Sequence, residues 1–403
     1  MMRAGFLMAI LGLAFMPAAQ AQFSSGSTGS DGALNLTTPG TVIFDPVTMN
    51  LDPAGDNVFN FTTINIAQGT TVVLTAGKLR NKPVIWLASG AITIAGNLNL
   101  QGADGATMTA ANPGEARFPA MPGPGGFPGG VGGYLTSPAT AGGGYGGGVA
   151  GVVNSNPFYE QGQNGVYSYY NNLALVPLVG GTGGGGGLLV SGAIAGGNGG
   201  AGGGAIRIVS SVSISVTGTI NAYGGNSGLG AGNGATYGGQ GSGGAIHLIA
   251  PTVSGNGFFW VENPNAQAGG TVGVVKISAT SNQYTGQSTE GLVTGPLYNP
   301  PLPAGAPAVQ VVSVNGVAAP AAVTGSLLAP DFTISANTPV TVNIAAQNIP
   351  VGAVVQLHLS SEQGNDSVVT CAALAGTIAS STATCTGASF PQGITLTDIK
   401  ATW

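Results

Sequence analysis

One pattern is written into this chain several times, and it limits the fold more than any other feature. From Gly204 the sequence reads GAIRIVSSVSISVTGTINAYGGNSG, with apolar rows Ile206/Ile208, Val212/Ile214/Val216 and Ile220/Ala222 separated by polar residues and closed by glycine. Alternation with period two marks short strands that are buried on one face. The pattern recurs from Pro83 as PVIWLASGAITIAGNLNLQGADG and from Gly244 as GAIHLIAPTVSGNGFFWVENPN, and is cut short at Gly273 as GVVKIS. An earlier copy, NVFNFTTINIAQGTTVVLTAG, carries Phe59/Phe61, Ile64/Ile66 and Val72/Leu74. One such unit cannot bury its own apolar row, so units of this kind stack on their neighbours. The expectation is an all-β fold: a parallel β-helix over residues 51–294 in which Ile85, Ile206 and Ile246 line a shared interior. Residues 22–50 supply a leader and an N-terminal cap for the open edge.

Between residues 103 and 203 this cadence is interrupted by PGPGGFPGGVGGY, AGGGYGGGVAG and GGTGGGGG. Three conformations suit such a segment: mobile loops, extended polyproline-II-like segments packed side by side, or a β excursion pinned by aromatics. The mobile loop is the default for glycine-dense sequence. A second glycine-rich stretch, GGNSGLGAGNGATYGGQGSGG, falls at the same point of a later repeat, so both emerge at one corner. The scattered GxGxxG matches lack a strand-to-helix context and an acidic residue downstream, and carry no nucleotide signal.

Residues 295–307, GPLYNPPLPAGAP, read as a semi-rigid spacer. From 308 to 403 the grammar changes to about seven short alternating strands with turn signals, as in an Ig-like β-sandwich. Cys371 and Cys385, the two cysteines of the chain, fall on adjacent expected strands and are read as a disulfide closing a hairpin.

Residues 1–21 have the form of a secretory signal peptide: Arg3, an apolar run from Gly5 to Phe15, and the small-residue site Ala19-Gln20-Ala21. No later stretch is apolar enough over sufficient length to cross a bilayer as a helix, so no membrane span is expected after cleavage. Only 5% of residues are charged, against roughly a quarter in ordinary globular chains, and 73 of 403 are glycine. With a net charge of −5 and no basic stripe, nucleic-acid binding has no electrostatic basis. An apolar content of 43% with strict alternation argues against disorder.

No catalytic residue, cofactor site or metal site is assigned. Asp45, Asp52, Asp56, Asp104, Glu115, Glu160 and Glu262 are scattered, with no paired-carboxylate arrangement on a repeated strand. Asp52, Asp56 and Asn57 in LDPAGDNVF read as a solvated turn in preference to a calcium loop. Alternation puts Arg207 and His247 on the outward face. Tyr159, Tyr167, Tyr169 and Tyr170 lie in an Asn- and Gln-rich island and suit contact with a glycan, the alternative being rings that plug the insertion against the stack.

The repeated PVIWLASGAITIAGNLNLQG and GGGAIRIVSSVSISVTGTINAYGG units and the LVPLVGGTGGGGG element resemble the glycine-rich parallel β-helix domains of exported bacterial adhesin-like surface proteins. The resemblance spans roughly Thr41 to Ser278, and the C-terminal region is similar to Ig-like modules appended to surface proteins. It implies an exported structural or adhesive protein of the cell surface or extracellular matrix and brings no catalytic residues with it. The partners expected are surface glycans, matrix or surface proteins, or further copies of the chain. A carbohydrate-binding module and a β-helix polysaccharide-active enzyme are the alternatives.

Overall fold

The computed structural model describes residues 23–403 apart from 53–54, 111–117, 145, 154–159, 168–173, 263–271, 290–291, 303–306, 321–329, 336–338 and 362–366. The chain is all-β, with no α-helix among the described residues, and most of its sheet is parallel. Residues 1–21, read from sequence as a signal peptide, lie outside the described residues.

The repeats form three parallel ladders. Val58–Phe61, Val84–Ala88, Ala205–Ser210, the first half of Ala245–Gly255, the first half of Val274–Tyr284, and Leu292–Gly295 pair in that order. Leu34–Leu36, Ile64–Ile66, Ile92–Ile94, Ser213–Val216 and the distal halves of the same two long strands make the second ladder. Gly40–Ile43, Thr70–Val73, Asn97–Asn99, Thr219–Asn221, Phe258–Trp260 and Gln287–Ser288 make the third. Rows from all three meet in one buried core, including Phe59, Phe61, Ile64, Ile66, Val72, Trp86, Ile206, Ile246 and Phe259.

Ile85 does not belong to that core. Val84 pairs with Ile206 and Ile85 with Arg207, so the inward row of this strand is Val84, Trp86 and Ala88. VIWLA is apolar on both faces and buried throughout, so alternation cannot fix which face points inward, and a one-residue shift exchanges the two. Ile85 and Leu87 instead enter a second apolar layer on the outside of the first ladder, with Val209, Ile249, Tyr167, Leu175 and Leu178.

The described residues of the glycine-rich insertion form a hydrogen-bonded assembly, not a set of mobile loops. Phe127, Gly130 and Gly133 donate their N–H groups to the carbonyls of Gly181, Gly184 and Gly187 at 2.8–2.9 Å. Gly181, Gly184 and Gly187 donate in turn to Gly203, Gly200 and Gly197, and Gly197, Gly200 and Gly203 to Thr236, Gly239 and Ser242. Bonds at every third residue are the signature of threefold extended helices of the polyproline II type, here with 127–133 parallel and 197–203 antiparallel to 181–187, and only glycine fits between such neighbours. The second glycine-rich stretch therefore joins the first in one bundle. Among the three conformations open to the sequence, this is the side-by-side extended one.

Leu297 of the proline-rich run packs on the outer layer of the first ladder, Asn299 Nδ2 donates to Ser25 O at 3.1 Å, and Pro300 O accepts from Arg207. The start of the expected spacer is thus fastened to the stack. Beyond it, a five-stranded and a three-stranded antiparallel sheet enclose a separate core of Val342, Ile344, Val355, Leu357 and Leu359 among others. The Cys371–Cys385 disulfide is present, but it does not close a hairpin. Cys385 lies in Ser380–Ala388 of the larger sheet, whereas Cys371 follows Ser367–Thr370 of the smaller one and donates its N–H to Val355 O, so the bond staples the two sheets together. Replacing both cysteines by serine is expected to cost about 2–3 kcal/mol through loop entropy restored to the unfolded chain. Urea unfolding of the oxidised and doubly substituted chains measures it.

Candidate binding face

The charged residues of the described chain are mostly spent on structure. At the corner before the first ladder, Lys78 Nζ lies 2.8 Å from Asp45 and Arg80 Nη1 lies 3.6 Å from Asp52. The Asp52 carboxylate also accepts the backbone N–H of Asp56 and Asn57, at 3.2 and 2.9 Å, and Asn57 Nδ2 donates to Leu79 O and Lys82 O. Burial pushes the Asp52 carboxyl up from its ordinary value; at Asp45 burial is outweighed by Lys78 and the carboxyl is lowered. Among the described residues no three His, Cys, Asp or Glu side chains come together as a metal-holding group. The Asp52/Asp56/Asn57 segment is a turn locked by its own hydrogen bonds.

Arg207, His247 and Lys276 stand side by side in register on the outer side of the first ladder. Arg207 and His247 are buried, not exposed as alternation alone suggests, because the outer apolar layer and the Leu297–Pro300 segment cover them. Alternation gives direction relative to the sheet; it does not reveal a second layer laid on top. Arg207 Nη1 and Nη2 donate to Pro300 O and Leu175 O, both at 3.3 Å, and among the described residues neither Arg207 nor His247 has a carboxylate partner. His247 Nε2 is 3.1 Å from Ser278 Oγ, while Nδ1 is buried without a partner. Burial, reinforced by the charges of Arg207 and Lys276, pushes the His247 pKa down to about 3. Arg207 fastens the covering layer, and Arg207 and His247 are sealed from solvent while Lys276 at the end of the row is half-buried.

Of the tyrosines expected to meet a glycan, Tyr159, Tyr169 and Tyr170 lie outside the described residues. Tyr167 is 2% exposed, packs in the outer layer of the first ladder and donates its hydroxyl to Val179 O at 3.1 Å. Its ring is therefore directed into the protein and offers no face to solvent.

The third ladder presents a different surface. Its outward rows run Thr41, Thr71, Asn97, Thr219, Phe258, Gln287 and Ile43, Val73, Asn99, Asn221, Trp260, all uncharged. Phe259 between the two aromatics is buried in the core, which turns Phe258 and Trp260 outward, half-buried, with ring centroids 4.7 Å apart and tilted by 41°. Beside them, at the corner joining the second and third ladders, a groove of about 360 Å³ is lined by Thr217, Gly218, Thr219, Asn256, Gly257, Phe258, Thr285, Gly286 and Gln287. Its floor is a glycine column: a Cβ on Gly257 would overlap Gly218 O, and one on Gly286 would overlap Gly257 O. The signal for this groove is in the sequence as Thr-Gly-Thr, Asn-Gly-Phe and Thr-Gly-Gln at matching points of successive repeats, obscured by the conspicuous tyrosine island.

Comparison with protein-family models, with curated proteins and with solved structures returned no match to this chain.

Proposed function

We propose that this chain is an exported structural or adhesive protein of the bacterial cell surface or extracellular matrix, and that it carries out no catalysis. In this reading the three ladders are the faces of a parallel β-helix, the glycine-rich segments are its flanking buttress, and the two C-terminal sheets are an Ig-like sandwich. The observation that carries the proposal is the outer side of the third ladder, a partly exposed and uncharged array rich in hydroxyl, amide and aromatic groups. Such an array suits holding a partner, while Asp45, Asp52, Lys78 and Arg80 are tied up in ion pairs and Arg207 and His247 lie beneath the covering layer. The disulfide fits an oxidising compartment and supports export. Among the described residues no helix is long and apolar enough to cross a membrane, so retention at a surface is assigned to contacts of the folded chain.

Two measurements test this. Incubated with a panel of polysaccharides, the purified chain is expected to release no reducing ends and no unsaturated products above a protein-free control; turnover would replace the proposal with a polysaccharide-active enzyme. Beads coated with the chain are expected to adhere to bacterial surfaces or extracted matrix well above uncoated beads. Equal retention of both would remove the adhesive role.

A further inference from the structure

Resting on the reading of the third ladder as the contact face, we infer that the corner groove and the Phe258–Trp260 pair form one site for an uncharged oligosaccharide chain. The two features are continuous, because Phe258 both borders the groove and packs against Trp260. Half-exposed aromatic rings offer an apolar plane to the C–H face of a pyranose, and neighbouring hydroxyl and amide groups take its hydroxyls. Those groups are available here: the side chains of Thr217, Thr219, Asn256 and Gln287 hydrogen-bond to no other described residue, and Thr217, Asn256 and Gln287 are exposed. Successive rows lie about 4.8 Å apart along the ladder, a repeat of the same order as one sugar ring.

The lining also discriminates against other ligands. No charged side chain borders the groove, so an acidic glycan, a phosphate or a nucleic acid finds no counter-charge. A peptide added as a strand needs unpaired backbone groups, and across the interior of the groove they are taken: Gly257 N–H goes to Val216 O, Phe258 N–H to Gly218 O, and Gln287 N–H to Gly257 O. What remains is recognition by neutral side-chain groups and ring faces, and that is the chemistry of an uncharged sugar.

Hexasaccharides of glucose, xylose, mannose and N-acetylglucosamine, each titrated calorimetrically into the full chain, are the probes. At least one is expected to bind saturably, with a change in Trp260 fluorescence; Trp86 is fully buried and Trp403, remote in sequence, serves as a reference when replaced by phenylalanine. Trp260→Ala is expected to weaken that binding at least roughly tenfold, or about 1.4 kcal/mol. The double variant Asn256→Ala/Gln287→Ala, which alters exposed side chains only, is expected to weaken it several-fold and keeps the test valid if Trp260→Ala fails to fold. Absence of binding to every probe at millimolar concentration overturns the inference, as does binding unchanged in the double variant. Bead adhesion that persists while every probe fails to bind sinks the sugar site and leaves the adhesive proposal standing; loss of both sinks both.

Discussion

Gly202→Ala is expected to destabilise the chain by about 3–5 kcal/mol, seen as a marked fall in the thermal midpoint. A Cβ at this position would overlap the carbonyl of Gly181, with Thr182 N close behind, so every neighbour in its path is backbone. Alanine would gain roughly 0.4–1 kcal/mol from a less mobile unfolded chain, and the overlap outweighs that gain because no side chain can rotate aside. Gly295→Ala is the control: its Cβ would meet only Lys276 Cε, at 3.9 Å, and a change within about 0.5 kcal/mol is expected. If Gly202→Ala proved as mild as the control, the bundle would not be packed backbone against backbone.

Acidification is expected to weaken the fold through His247. Its folded pKa of about 3 lies below the ordinary value of 6.5, so between these limits the unfolded chain binds the proton and the folded chain does not. Stability contributed by neutral His247 is therefore complete above about pH 6.5 and is lost as the pH falls towards 3, by about 1.4 kcal/mol per pH unit, or about 3 kcal/mol at pH 4. The groups that face it are Arg207 on one neighbouring strand and Lys276 and Ser278 on the other, and no carboxylate of the described residues pairs with the ring to soften the effect. Thermal midpoints measured from pH 7 to pH 4 should fall more steeply for the native chain than for His247→Gln. Parallel slopes would show that this ring does not control the acid response. Hydrogen exchange at Leu175 and Leu178 should rise first, because the covering layer is what a charged His247 pushes away.

Much of the fold is legible in residue order because burial on one face writes itself as period two. Phe59/Phe61, Ile64/Ile66, Ile92/Ile94, Leu98/Leu100 and Ile220/Ala222 all point into the core that their alternation predicts. The pattern loses its meaning where both faces are buried, as at Val84–Ala88, and where another segment lies on top, as over Arg207 and His247. The threefold bundle was also written in plain sight, in Gly126, Gly129 and Gly132 and in Gly197, Gly200 and Gly203, but period three is easily lost in sequence where glycine also fills the positions between. The candidate site was harder to see. Tyr167 is an aromatic in polar sequence surroundings, yet its partners Leu175, Leu178 and Val179 are close in sequence and bury it. Phe258 and Trp260 mark a surface because Phe259 between them faces inward and the glycine corner recurs beside them, and neither fact is carried by the local FFW sequence.

The attachment of Leu297–Pro300 determines how tension would enter the molecule. A pull applied through the C-terminal sheets reaches the contacts of Pro300 with Arg207 and of Asn299 with Ser25 before it reaches the last strand of the first ladder, Leu292–Gly295. That strand is thereby shielded from being peeled off bond by bond, and the strain passes to several anchors at once, on the flank of the stack and at its amino-terminal approach. A chain that holds a surface against flow would benefit from such a strain relief.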